Sequence, residues 1–220
     1  RSMGDWDWGV IERSWPLLVD ATWVSIQLFL ASLVFATVLG LLLALMRLST
    51  SGLLRWVSAT YVWIFRGLPA LVILFFAFFW LGRNLNLTPF EAAVLGLGVS
   101  SAAYKAEIIR AGLLAVDTGQ YEAAEALGFT KTHAMRRIIL PQGIRVMIPT
   151  YMSNATLLFK STSLAAVIGL TELTGRSRQL ANSTFKPIEV LTAAGVIYLV
   201  LTSVLVISQG LLERRFKLKS

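Results

Sequence analysis

Four stretches, 24–46, 57–81, 146–170 and 188–212, are apolar with few interruptions. Each reaches the ~20 residues that an α-helix needs to cross a hydrocarbon core of ~30 Å. A fifth stretch, 90–115, is interrupted in its second half by Lys105, Glu107 and Arg110. It is counted as spanning as well, because omitting it would put the basic segments before and after it on opposite sides of the membrane. The pattern therefore predicts an all-α integral membrane protein with five transmembrane helices, over about 17–46, 57–81, 90–115, 141–170 and 188–212. No internal repeat, low-complexity tract or linker marks a second unit, so residues 1–220 read as a single transmembrane domain.

The connections between these spans carry the orientation signal, since Lys and Arg near span ends favour the cytoplasm. One set holds nine cations: Arg47, Arg55, Lys131, Arg136, Arg137, Arg214, Arg215, Lys217 and Lys219. The other holds six, Arg1, Arg13, Arg83, Arg176, Arg178 and Lys186, diluted by Asp5, Asp7, Glu12, Asp20 and Glu172. The expectation is an N-terminus outside, a C-terminus in the cytoplasm, and a long cytoplasmic segment over about 116–137.

Composition sharpens this picture. Hydrophobic residues make up 56% of the chain and charged residues 15%, with a mean hydropathy of +0.69, far from the balance of a soluble domain. The net charge of +8 is spread in short clusters between apolar runs, which suits lipid-facing loops and makes a nucleic-acid groove a poor reading. With no cysteine, disulfides and thiolate metal sites are excluded.

The segment 116–137 is the most informative. Asp117 and Gln120 have capping-box spacing, which predicts a helix start, and the following run from Tyr121 to Leu127 contains mostly good helix formers. Gly128 suits a left-handed closing position. Thr130 can cap a second helix through Met135 to Leu140, with Pro141 interrupting it where the chain enters the membrane. The result is a two-helix elbow whose small alanines allow close approach of a partner.

Glu122-Ala123-Ala124, Gly128, Ile138 and Leu140-Pro141, at their spacing and before the penultimate span, resemble the EAA loop of type I ABC importer permeases, with their MetI-like transmembrane fold. Further matches point to the polar amino acid uptake group. These are Phe65-Arg66-Gly67-Leu68-Pro69, then Tyr104 with Glu107-Ile108-Ile109-Arg110-Ala111, Gly119-Gln120, Lys160-Ser161-Thr162-Ser163-Leu164 and Val167-Ile168-Gly169. The resemblance runs from about Trp23 to Arg215. Similar proteins commonly carry an acidic residue after the fourth-span lysine, where Ser161 stands here.

The resemblance implies a permease subunit of an ATP-dependent importer that moves polar or charged amino acids inward across the bacterial cytoplasmic membrane. Its implied partners are two ABC ATPase subunits, a second permease copy, identical or paralogous, and an extracytoplasmic amino-acid-binding protein, all in membrane lipid. The chain lacks a Gly-x-x-x-x-Gly-Lys-[Ser/Thr] loop, so ATP and Mg belong to the partner ATPase and no cofactor is expected in this chain. The elbow, through Glu122, Ala123, Ala124, Gly128, Ile138, Leu140 and Pro141, becomes the ATPase-coupling element. An ion-coupled secondary transporter is the alternative, although the inverted repeats and intramembrane carboxylates usual there are not evident.

Arg66 and Lys160 stand out among the cations that fall inside spans. Arg66 lies 11 residues beyond Arg55, or ~16 Å along a helix, and Lys160 lies well within the fourth span. Charges at such depth are costly and usually face a cavity or a partner. The substrate hypothesis is that Arg66 or Lys160 meets an amino acid carboxylate, with Asn154, Thr162 and Ser163 as hydrogen-bonding neighbours. Alternatively, Arg66 bonds carbonyls freed by Pro69, and Lys160 snorkels or braces a dimer.

The remaining signals have structural readings. Ala36, Gly40 and Ala44 form a small-residue stripe for helix packing. Asp117-Thr118-Gly119 spells the aspartic protease triplet once, without the second carboxylate that chemistry requires. His133 has no second histidine or cysteine nearby, and neither Gly-x-Ser-x-Gly nor His-Glu-x-x-His occurs, so neither metal binding nor catalysis is expected. Trp6, Trp8, Trp15 and Trp23 suit an outer interfacial belt, the first three alternatively a short surface helix. The stretch Thr171 to Pro187 reads as an outer loop, either solvated or a docking surface.

Overall fold

A computed structural model describes residues 6–216. Its elements are all helical: α1 (Trp8–Arg47), α2 (Gly52–Gly67), α3 (Ala70–Leu85), α4 (Pro89–Leu114), α5 (Thr118–Ala126), α6 (Lys131–Ile168), α7 (Leu173–Thr184) and α8 (Pro187–Phe216). Among the described residues α1, α4 and α8 are long and apolar enough to cross a membrane singly. The pairs α2 with α3 and α6 with α7 qualify only as bent units, which gives up to five crossings.

The first of these is longer than expected. Asp7 accepts the amide of Gly9 at 3.0 Å and caps a helix that continues from Trp8 through Pro16 to Arg47. The Trp8 and Trp15 positions therefore belong to the span's own helix, not to a separate surface one. Along α1 the buried positions recur every three or four residues, and many are small: Ser14, Ala21, Ser25, Ser32, Ala36, Gly40 and Ala44. The opposite face exposes Leu30, Val34, Val38, Leu41 and Leu45. Large apolar side chains outside and small ones inside is the arrangement of a helix solvated by lipid and packed by close backbone approach.

That small stripe meets α4, the most extensive helix pairing in the protein. At Gly40 an added Cβ would stand 2.8 Å from Lys105 Cβ and 3.1 Å from the Ala102 carbonyl oxygen, so only glycine permits the contact. The stretch with the weakest membrane signal is in fact the centre of the bundle: 67% of its most apolar window is buried, against 39% for α1 and 28% for α8. A helix enclosed by protein needs less hydrophobicity than one facing lipid, which is why α4 tolerates charges. Its start is fixed by a capping box, with Thr88 Oγ1 accepting Glu91 N and Glu91 Oε2 accepting Thr88 N.

Three expectations are corrected. The second span is not continuous: α2 stops at Gly67, and α3 leaves at 105°. Leu68 and Pro69 are extended (ψ 139° and 135°), because a residue preceding proline is pushed out of the helical region and proline has no N–H for the carbonyl four residues back. Pro141, conversely, does not interrupt its helix. A π-helical turn, Met135–Ile139, carries the amide of Leu140 to the Met135 carbonyl, and the chain runs on from the elbow into α6. This wider turn absorbs a proline that cannot donate. Finally, 171–187 is not a solvated loop but contains α7. Glu172 begins it with no exposed surface, accepting the amides of Thr174 (3.0 Å) and Gly175 (2.8 Å) and the hydroxyls of Ser25 (3.2 Å) and Tyr198 (3.0 Å). One carboxylate thus ties α1, α7 and α8 together.

Candidate functional site

The elbow is α5 and the first turns of α6. Asp117 Oδ1 accepts the amide of Gly119 at 2.7 Å and starts α5. The capping box with Gln120 does not close, since Gln120 Oε1 instead accepts from Gln142 Nε2 at 3.1 Å, linking α5 to α6. Gly128 adopts φ +73° and ends the helix as expected, and Thr130 Oγ1 accepts the amide of His133 at 3.3 Å to start α6. The His133 ring stacks on Phe129 with 5.0 Å between centroids.

Of the adjacent Ala123 and Ala124, only the second packs inward. Ala124 is buried, whereas Glu122, Ala123, Glu125 and Gly128 are exposed, and Leu127 is 74% exposed at the tip. Below it, Ile109, Leu113, Val116 and Ile139 form a buried cluster with Ala44 of α1, against which Ile138 packs; Leu140 and Pro141 lie at the surface. The geometry is a rigidly footed knob at one end of a helical bundle, with an apolar and acidic outer face.

A second feature opens where α2 breaks. A cavity of about 490 Å³ is walled by Arg66, Gly67, Leu68 and Pro69 from the break, Ser100, Ser101 and Tyr104 from α4, and Asn154 and Ser161 from α6. A neighbouring cavity of about 550 Å³ runs towards the elbow, past Glu107, Ala111, Ala115 and Met147. Arg66, Tyr104, Asn154 and Leu157 line both. The Arg66 guanidinium carbon lies 5.4 Å from the centroid of Tyr104, within cation–π range. Ser101 Oγ donates to Asn154 Oδ1 at 3.2 Å, so that amide keeps its N–H groups available.

The five residues of the substrate hypothesis therefore separate. Arg66 and Asn154 share both cavities. Lys160 and Ser163 line a different one of about 370 Å³ with Gly195, Tyr198, Leu199 and Thr202 of α8, and Thr162 is buried with its hydroxyl on the Phe159 carbonyl at 2.7 Å. At roughly 100° per residue, Lys160 is turned about 120° away from Asn154, whereas Ser161, seven residues on, shares its face. That spacing was the available signal for Ser161. Glu107 pairs with Arg110 (2.7 Å) and also meets Arg47 (3.9 Å).

Two of the buried ionisable residues that received no role from the sequence are Glu172, described above, and Lys105. Lys105 is wholly buried, with Nζ 3.8 Å from the centroid of Tyr151 and no hydrogen bond. Neither could be separated from ordinary span-end charges by spacing alone.

Residues 36–218 match the family described as "Binding-protein-dependent transport system inner membrane component". The chain is 41% identical over 211 residues to the arginine transport system permease protein ArgU of Corynebacterium glutamicum, covering 88% of this chain and 66% of that one. It is 38% identical to the probable amino-acid permease protein YxeN of Bacillus subtilis, covering 94% and 95%, and 37% identical to the L-cystine transport system permease protein TcyB of the same organism, covering 94% and 90%. A crystal structure of an amino acid ABC transporter with histidines superposes with a TM-score of 0.89 at 31% identity over 96% of this chain and 99% of that one. The inward-facing MetNI methionine ABC transporter shares the fold, with a TM-score of 0.82 at 23% identity over 94% and 99% of the two chains. A bundle with a lipid-facing rind, a broken second span and an exposed helical knob at one end thus belongs to the family of binding-protein-dependent transport system inner membrane components, and the chain is a multi-pass transport subunit of the inner membrane.

Proposed function

We propose that this chain is the permease subunit of an ATP-driven importer of amino acids, that its elbow takes the push of a separate ATPase, and that its substrate crosses through the cavities beside Arg66. The observation that carries this reading is the elbow. Its tip exposes Ala123, Leu127 and Phe129 beyond the membrane-spanning helices, where apolar side chains gain nothing from lipid and are best covered by a protein surface.

In this reading the elbow faces the cytoplasm, two ATPase subunits hold ATP and Mg2+, and two permease copies flank the path. A binding protein delivers substrate on the other side. The link between Gln120 and Gln142 and the uninterrupted passage from elbow to α6 give a rigid connection from the docked tip to the wall that holds Asn154 and Ser161. Drawing the two elbows together would tilt α6 as a unit and open the cavities to alternate sides. No group of this chain needs to do covalent chemistry.

The native chain contains no cysteine, so Ala123→Cys provides a unique attachment point. Cross-linking in membranes that express the whole assembly should join this position to an ATPase subunit, and purified complex in proteoliposomes should accumulate amino acid only with internal or external MgATP at the ATPase face. Uptake by this chain alone, driven by an ion gradient, would overturn the reading.

A further inference from the structure

We infer that the 490 Å³ cavity beside the Pro69 break selects amino acids with uncharged or acidic side chains and rejects cationic ones. The inference rests on the reading of that cavity as the substrate site, and it adds the class of substrate.

The cavity's wall has one fixed cation, Arg66, and the polar groups of Ser100, Ser101, Tyr104, Asn154 and Ser161. Among the described residues that line it there is no carboxylate. The carboxylate of the adjoining cavity, Glu107, is held by Arg110 and Arg47 and offers little uncompensated charge to a substrate.

The wall is also donor-rich where orientation is fixed. Asn154 Oδ1 accepts from the Ser101 hydroxyl, which orients the amide and leaves both of its N–H groups free to donate. Arg66 presents a planar fork that matches a carboxylate. A free α-carboxylate therefore has a partner, and the α-ammonium can use hydroxyl oxygens and the carbonyls at the helix break. A second positive charge on the side chain would meet only Arg66. With like charges about 6 Å apart and an effective dielectric near 20, the repulsion weakens binding by about 100-fold. An acidic side chain adds no such penalty, because its charge is opposite to that of Arg66.

The test uses the whole assembly of both permease copies and the ATPase, purified into lipid nanodiscs. Calorimetric titration without binding protein is run with L-glutamine, L-glutamate and L-arginine as probes. Glutamine or glutamate should bind, with arginine at least about tenfold weaker. Ser161→Asp places a carboxylate in the wall and should reverse the preference towards arginine, while Ser161→Asn should not. Arginine binding as tight as glutamine in the unaltered protein overturns the inference and leaves the amino-acid reading standing. Glutamine-selective binding that Ser161→Asp does not alter assigns the site to the other permease copy and also overturns it. If none of the three probes binds and MgATP drives no uptake of them, the functional reading itself fails.

Discussion

Lys105 of α4 and Tyr151 of α6 form a cation–π contact at the centre of the bundle, with Nζ 3.8 Å from the ring centroid and the whole lysine buried. The phenol end of the same tyrosine is 2.5 Å from the Thr37 hydroxyl of α1, so one ring joins three helices.

The contact is an uneasy one, because the ammonium has no hydrogen bond. Desolvating an ion costs several kcal/mol, and a desolvated cation–π contact returns about 2 kcal/mol. Lys105→Met, which keeps length and removes charge, should leave the melting temperature of the detergent-solubilised assembly unchanged or raise it. Tyr151→Leu, which also loses the bond to Thr37, should lower it. Thermal unfolding followed by tryptophan fluorescence reads both, and a clear loss of stability in Lys105→Met would mean that the charge has a stabilising partner.

Glu172 predicts the opposite sign. Its carboxylate satisfies two amides at the start of α7 and two hydroxyls from α1 and α8. Loss of a helix cap costs about 1 kcal/mol, and each buried donor left unpaired costs about 1–3 kcal/mol more. Glu172→Ala should therefore lower the melting temperature by many degrees, and Glu172→Gln, which retains one acceptor oxygen, by distinctly less. Equal melting curves for all three proteins would refute the bracing role.

Gly128 tests the elbow. At φ +73° the left-handed conformation costs a typical L-residue about 1–2 kcal/mol, with Asn the usual exception. The ratio of amino acid transported to ATP hydrolysed should fall in the order Asn, Ala, Val at this position, with Gly128→Val close to uncoupled. A Gly128→Val assembly that transports with the native ratio would show that the turn does not transmit force.

Gly40 tests the α1 to α4 seam. The 2.8 Å approach to Lys105 Cβ and 3.1 Å to the Ala102 carbonyl leave no room for a branched side chain, and overpacking of this kind costs about 1–3 kcal/mol. Gly40→Val should reduce the yield of monodisperse protein on size-exclusion chromatography. Gly210→Val, where nothing lies within 4 Å of an added Cβ, should not.

How much of this was legible in the sequence depended on the range of the interaction. The ends of the elbow helices are legible locally: Gly128 and Thr130 act through their own backbone neighbourhoods, and both do what their residue types suggest. Gln120 departs from its capping-box spacing because a partner 22 residues away, Gln142, competes for its side chain. The helix break was signalled by Pro69, yet the same residue type at Pro141 passes inside a continuous helix. A proline states that one backbone bond is missing. Whether the chain bends or widens a turn to accommodate it is decided by what packs around it.

The sequence by itself determined the apolar stretches, the weak point at α4, and the start and stop of the elbow. Those features follow from lipid solvation and from hydrogen bonds within four residues, which any isolated segment carries with it. Only the tertiary structure decided that Arg66 faces Asn154 and not Lys160, that α4 lies at the centre, and that Glu172 is buried. Helical periodicity tells which residues share a face, but the neighbour that a face meets depends on the crossing of helices far apart in the chain, and so does the polar or apolar surrounding that gives a charge its role.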